Sequence, residues 1–197
     1  VAETTGIRRN FYPINACVPV PTGALSGTDE VRLMRGDEEV AAQVAAASRW
    51  PDGSVQWLTV DFNASFGPEE TQSYRLEYGP GVSARGEPGR GLSLVEETDA
   101  IQVGRVRFGK TAAPLVGSVT YRDEAIAPGR NGFVVEDAGG TAHAVGGDGT
   151  RFEIIRGGPL YVELRYSGEV ALGDGVRLPF VVTVEMPNSK SWVKATA

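Results

Sequence analysis

The feature that most constrains this chain is strict alternation of apolar and polar side chains in short segments broken by glycine and proline. In VRLPFVVTVEM, residues 176–186, Val176, Leu178, Phe180, Val182, Val184 and Met186 fall on one side and Arg177, Thr183 and Glu185 on the other. Only an extended backbone repeats its side-chain direction every second residue, so this stretch reads as a strand with one buried and one wet face. SYRLEY sets Tyr74, Leu76 and Tyr78 against Arg75 and Glu77, and PLYVELRY sets Leu160, Val162, Leu164 and Tyr166 against Tyr161, Glu163 and Arg165. One-sided strands of this kind pair antiparallel, and the turns between them carry suitable chemistry: RGDEE at 35–39, PDGS at 51–54 and GDGV at 173–176. The alanine-rich run VAAQVAAAS, 40–48, is the one helical temptation. It is short, lacks an N-cap and lies between a hairpin turn and a strand, so a strand is expected there too.

The expected architecture is all-β in two parts. A length of 197 residues is enough to bury a core without disulfides, and the composition breaks most sharply at GPGVSARGEPGRG, residues 79–91. We therefore expect a small barrel-like domain over 1–80, a Gly/Pro-rich linker over 81–91 and an antiparallel β-sandwich over 92–197. A new strand begins at Trp192 and stops at Ala197, so the sandwich is expected to be incomplete. An open strand edge would then favour pairing of two copies into a homodimer. No fixed-period repeat points to a solenoid or propeller.

Several chemistries are disfavoured. A net charge of -6 and a pI near 4.9 argue against nucleic acid as a partner, because phosphate binding needs a basic face. Neither a stretch long enough to span a bilayer nor a signal peptide is legible, so no membrane partner is expected and the compartment is left open. Cys17 is the only cysteine and His143 the only histidine, too few for a zinc site, and the Asp-Gly pairs lack calcium-loop spacing. Glycine-rich stretches lack the strand, loop and helix order of a phosphate cradle, so no cofactor is expected. A Cys17–His143 dyad is conceivable on paper, yet nothing local orients the imidazole, and Cys17 reads as a small buried hydrophobe in INACVPV. Arg35-Gly36-Asp37 reads as turn chemistry at a hairpin tip rather than an adhesion signal.

Two places could hold a sugar. Tyr161, Glu163 and Arg165 would stand in a row about 7 Å apart on one strand face, a phenol, a carboxylate and a guanidinium suited to a sugar acid. The alternative for the same row is a cross-strand ion pair beside an aromatic on the wet side of a sheet. SRWPDGSVQWLTVDF, residues 48–62, reverses at its turn and then offers Val55 and Trp57 on one face and Leu58, Val60 and Phe62 on the other. That pattern reads as a strand covered on both sides, more core than site. Trp50, just before the turn, is either a stacking platform for a sugar or a cap on the apolar end of a barrel.

FYPINACVPVPTGAL, then VRLMRGDEEVAAQVAAASRWPDGSVQWLTVDF, then SYRLEYGPG, together resemble the N-terminal RIFT-type β-barrel of the exo-rhamnogalacturonan lyase-like (YetA-like) proteins. That family reads "tfGVPxPxGal", a strand ending in "vpaQ", and "RWPDGSvkWlxxdF"; here Ala16 and Cys17 replace the commoner Phe-Gly pair. Residues 92–197 are similar, through GGPLYVELRYSGEV and PNSKSW, to the start of the family's central β-sandwich. The resemblance implies a modular polysaccharide-processing protein whose helical toroid lies C-terminal to these β domains, with an acidic polysaccharide or oligosaccharide as partner. Eliminating across a uronate needs a carboxylate-neutralising group, a base and an acid, and these three do not assemble from residues 1–197, so no catalytic residue is assigned. The expected role is a non-catalytic β region that scaffolds a glycan cleft. The rivals are a stand-alone carbohydrate-binding module and a structural surface β protein.

Overall fold

The computed structural model describes residues 1–86, 88–173 and 175–197. Glu87, inside the expected linker, and Asp174, in the expected GDGV turn, lie outside the described residues. The described regular structure is all strand, as the alternation requires, and its described strand pairings are antiparallel. The chain divides into two units: 1–91 with 159–161 and 187–191, and 92–158 with 162–186 and 192–197.

In the first unit, β1 (Arg9–Pro19), β4 (Ala42–Arg49) and β5 (Val55–Phe66) form a sheet with β5 in the middle. β2 (Val31–Arg35), β3 (Glu38–Val40) and β6 (Arg75–Tyr78) form a second, with β2 in the middle. The alanine-rich run is indeed strand, because β5 supplies a pairing partner that outweighs alanine's mild helical preference. Both sheets feed one core, including Leu33, Val55, Leu58, Val60, Phe62 and Phe66. Arg35 and Glu38 face each other around Gly36-Asp37, so the RGD triplet forms a hairpin tip, with Gly36 at φ 60°.

Two expectations about side-chain direction are corrected here. Trp57 does not share a covered face with Val55: Val55 and Leu58 are both fully buried, whereas Trp57 is 39% exposed. Arg49 opposes Val55, Ser48 opposes Trp57 and Ala46 opposes Leu58, so Gln56 and Ala47 each add an unopposed residue. The inserted Gln56 reverses the alternation and brings Val55 and Leu58 to the same side. Cys17 is exposed rather than buried, because in β1 it is Ile14, Ala16 and Val18 that pack on the core.

In the second unit, β7 (Leu94–Glu96), β8 (Ala100–Val103), β9 (Val106–Gly109), β10 (Val116–Tyr121) and β11 (Glu124–Ile126) form a five-stranded meander. β12 (Val134–Glu136) and β13 (Ala142–Ala144) form a hairpin. β14 (Arg151–Arg156), β15 (Tyr161–Gly173), β16 (Val176–Pro187) and β17 (Lys194–Thr196) form a four-stranded sheet. Ile101 and Phe108 from the first sheet and Leu164, Tyr166, Val182 and Val184 from the third share one core. β16 buries only part of its apolar face: Val182 and Val184 are inside, while Val176 and Leu178 are 55% and 41% exposed.

The N-terminal segment is pinned to the first unit by one carboxylate. Glu3, only 7% exposed, accepts from the amides of Thr5, Ile7 and Glu69 and from the Thr5 hydroxyl. The Thr5 hydroxyl, followed by the amides, holds the Glu3 carboxyl at about 2 against an ordinary 4.5. A depressed folded-state pKa stabilises above the unfolded value, and that contribution is lost as pH falls from 4.5 towards 2. The melting temperature of Glu3→Gln is therefore expected to lie below that of the parent at neutral pH, with the gap closing as the buffer is acidified through that window. A gap independent of pH would show that the charge is not what Glu3 contributes.

Candidate functional site

The outward face of β5 builds the site. Its inward residues Leu58, Val60, Phe62, Ala64 and Phe66 are buried, which leaves Thr59, Asp61, Asn63 and Ser65 on the other side of the strand. Each of these four makes a polar contact. Thr59 Oγ1 donates to Ala45 O, Asn15 Nδ2 donates to Asp61, Asn63 Nδ2 donates to Asn188 Oδ1 at 2.9 Å, and Ser65 Oγ accepts from the Phe11 amide at 3.0 Å. Gln43 stands in register with Asp61 on neighbouring β4. Its Oε1 accepts from the amides of Leu160 and Tyr161 at 3.0 and 3.1 Å, and its Nε2 donates to Tyr161 O at 2.8 Å. One side chain thus holds the 159–161 segment by three backbone bonds.

The 81–91 segment, expected as a linker, is tied into the same unit. Glu39 Oε1 accepts from the amides of Arg85 and Gly86 at 2.5 and 2.6 Å, and these bonds, the one from Arg85 foremost, hold its carboxyl below the usual range. Arg90 O accepts from Asn188 Nδ2 at 2.6 Å. Gly91 lies so close to Pro159 that an added Cβ would come within 2.9 Å of it. Lys190 Nζ donates to Asn10 O at 2.9 Å.

These ties enclose a pocket of about 580 Å³ in the first unit, lined by Phe11, Asn63, Arg90, Leu160, Asn188 and Ser189 among others. That volume lies in the ordinary range for small-molecule sites. Phe11 is its most unusual member, because the residue is 69% exposed and its backbone sits at φ 44°. The β1–β5 register shifts between Arg9 and Tyr12, which frees Phe11 from the ladder and turns it outward. A left-handed backbone at an aromatic residue costs about 1–2 kcal/mol, so the fold sustains both strain and exposed apolar surface at one position. Next to it, Tyr12 lies between two cations, with Arg9 4.9 Å and Lys190 5.6 Å from its ring centre. Among the other lining residues, the Ser189 hydroxyl is buried and has no partner among the described residues.

The residues singled out from sequence lie elsewhere. Trp50 is half-buried at the Pro-Asp-Gly-Ser turn, its indole N–H donating to Val20 O at 3.0 Å. Asp52 caps that turn by accepting from the Ser54 amide and hydroxyl, which holds its carboxyl low. The row Tyr161, Glu163, Arg165 is not a uniformly wet face. Tyr161 is buried at 8% exposure and groups with the first unit, whereas Glu163 and Arg165 group with the second. Glu163 pairs with Arg156 at 2.6 Å, both side chains being largely covered, and Arg165 is exposed opposite Glu153. A strand that carries an ion pair at one position and a buried ring two residues earlier does not present one continuous row.

His143 is oriented after all, by a contact that runs along the β12–β13 hairpin. Its Nε2 lies 2.9 Å from Asp137 Oδ2, and the other oxygen of that carboxylate accepts from the amides of Gly139 and Thr141. The imidazole first, and the amides after it, hold Asp137 below the usual carboxylate range. The pair therefore locks a turn. Among the described residues no group of His, Cys, Asp and Glu is placed to hold a metal ion.

No curated protein matches the chain. Residues 9–79, the part of the first unit that carries β1 to β6 and the pocket residues Phe11 and Asn63, match the family model of the PcRGLX-like N-terminal RIFT barrel domain. Residues 9–79 of the first unit are thus similar to a RIFT barrel domain of the rhamnogalacturonan lyase-like kind.

Proposed function

We propose that this chain is a non-catalytic β region of a rhamnogalacturonan lyase-like carbohydrate-active protein, and that it contributes a glycan-contacting surface rather than bond-breaking groups. The match of residues 9–79 to the RIFT barrel domain carries this reading. The chemistry of the described side chains supports it. The chain's one histidine is bonded to Asp137, Glu3 is saturated with amide donors, and Glu163 is paired with Arg156, so each of these titratable groups already serves the fold. The partner on this reading is an acidic oligosaccharide or polysaccharide, drawn to Arg9 and Lys190 at the Tyr12 ring and to Arg90 at the pocket despite the chain's net charge of -6.

Two assays on the purified chain test this together. Calorimetric titration with acidic oligosaccharides is expected to show micromolar-to-millimolar binding, and incubation with the same polymers is expected to release no unsaturated sugar ends. Turnover by the chain alone would contradict the non-catalytic reading. Silence across acidic and neutral glycans would favour a purely structural β protein.

A further inference from the structure

We propose that the pocket beside Phe11 is a subsite for one pyranose ring bearing an anionic substituent, with Phe11 as the stacking platform and Arg90 as the group that reads the charge. This rests on the glycan-contacting reading above and goes further by assigning the residues and the ligand. A pyranose presents an apolar face of C–H groups, which an exposed aromatic ring covers while excluding water. Phe11 offers such a face, and its conformation has no purpose in the core. The residue is 69% exposed at φ 44°, yet its amide is fixed to Ser65 Oγ, so the ring is held out on an anchored backbone.

Other lining residues supply directed polar groups. Asn63 donates to Asn188 and Asn188 donates to Arg90 O, which fixes both amide planes and leaves the Asn63 Nδ2–Asn188 Oδ1 bond at the pocket wall. Beside them the Ser189 hydroxyl is buried and without a partner among the described residues. A buried hydroxyl in that state is unfavourable unless a ligand completes it, and a ring hydroxyl has both the donor and the acceptor to do so. Arg90 lines the same pocket, is exposed, and has no carboxylate within ion-pair distance among the described residues. Of the other arginines of this unit, Arg9 pairs with Glu3, Arg32 and Arg75 with Glu77 and Arg35 with Glu38, whereas Arg8, Arg49 and Arg85, like Arg90, have no ion pair among the described residues; Arg90 is the one of these four that lines the pocket. A guanidinium at a pocket wall with no described carboxylate beside it is suited to bidentate capture of a carboxylate.

The test uses the whole chain in calorimetric titrations with a trigalacturonide, its methyl ester and a neutral cello-oligosaccharide of the same length. The parent is expected to bind the acid form best. Phe11→Gly removes the ring and relieves the left-handed strain, so it should lose roughly tenfold or more in affinity while its melting temperature stays level or rises. Arg90→Gln should lower affinity for the acid form to that for the methyl ester and leave the methyl ester unchanged. Ser189→Ala, which deletes the buried hydroxyl, should weaken all ligands that the parent binds. If the parent binds and both Phe11→Gly and Arg90→Gln bind as tightly, the subsite is wrong and the glycan-contacting reading stands. If the parent binds none of the three ligands, the glycan-contacting reading itself fails, and the subsite with it.

Discussion

Leu58→Ala is expected to destabilise the first unit by about 3–5 kcal/mol, the upper part of the range for a buried leucine truncated to alanine. Leu58 is fully buried at the middle of β5 and packs in the cluster that contains Val55, Val60 and Phe62. Its neighbours come from a sheet on each side of the core, so the vacated volume has no mobile loop to collapse into. Trp57→Ala is the informative companion. Trp57 is the larger residue, but the irregular pairing around Gln56 leaves it 39% exposed, and its removal should cost well under half as much. Urea titration of both variants decides the matter. A larger loss for Trp57→Ala would mean that the alternation in β5 is not reversed.

Gln43→Ala is expected to cost roughly 2–4 kcal/mol, because three backbone groups lose their partners at once and each net hydrogen bond contributes about 1 kcal/mol, more where the stranded group is buried. Leu160 and Tyr161, whose amides Gln43 Oε1 accepts, are 4% and 8% exposed. Leu160 also lines the pocket, so the same substitution should weaken glycan binding in proportion to the loosening of the 159–161 segment. Glutamate at 43 is the sharper probe: it keeps an acceptor for both amides but cannot donate to Tyr161 O, and should recover part of the loss. A fully stable Gln43→Ala would show that segment 159–161 is held by packing alone.

Much of this fold was legible from periodicity, because each strand's alternation is a local property. β5 shows this well: LTVDFNASF names both the buried row and the polar row that builds the site. What escaped reading is set by partners. The reversal at Gln56 depends on how β4 pairs, Cys17 faces out because β1 turns Ile14, Ala16 and Val18 inward, and the Asp137–His143 contact depends on the hairpin register. Phe11 carried no signal as a left-handed residue, since non-glycine residues are placed there only by their surroundings. Gln43 was not singled out from the sequence, because its task involves residues 117 and 118 positions away. Segments 159–161 and 187–191 belong with the first unit by such long-range bonds, which local composition does not encode.

The proposed sugar subsite around Phe11 and the proposed fold-serving roles of Glu3, His143 and Glu163 stand or fall together in one experiment. The most direct measurement is an amide chemical-shift titration of the isotope-labelled chain with the acidic trisaccharide. The largest shifts are expected at Phe11, Asn63, Arg90, Asn188 and Ser189, with Asp137 and His143 unmoved. Largest shifts within residues 92–158, or a uniform absence of change at saturating sugar, would contradict this.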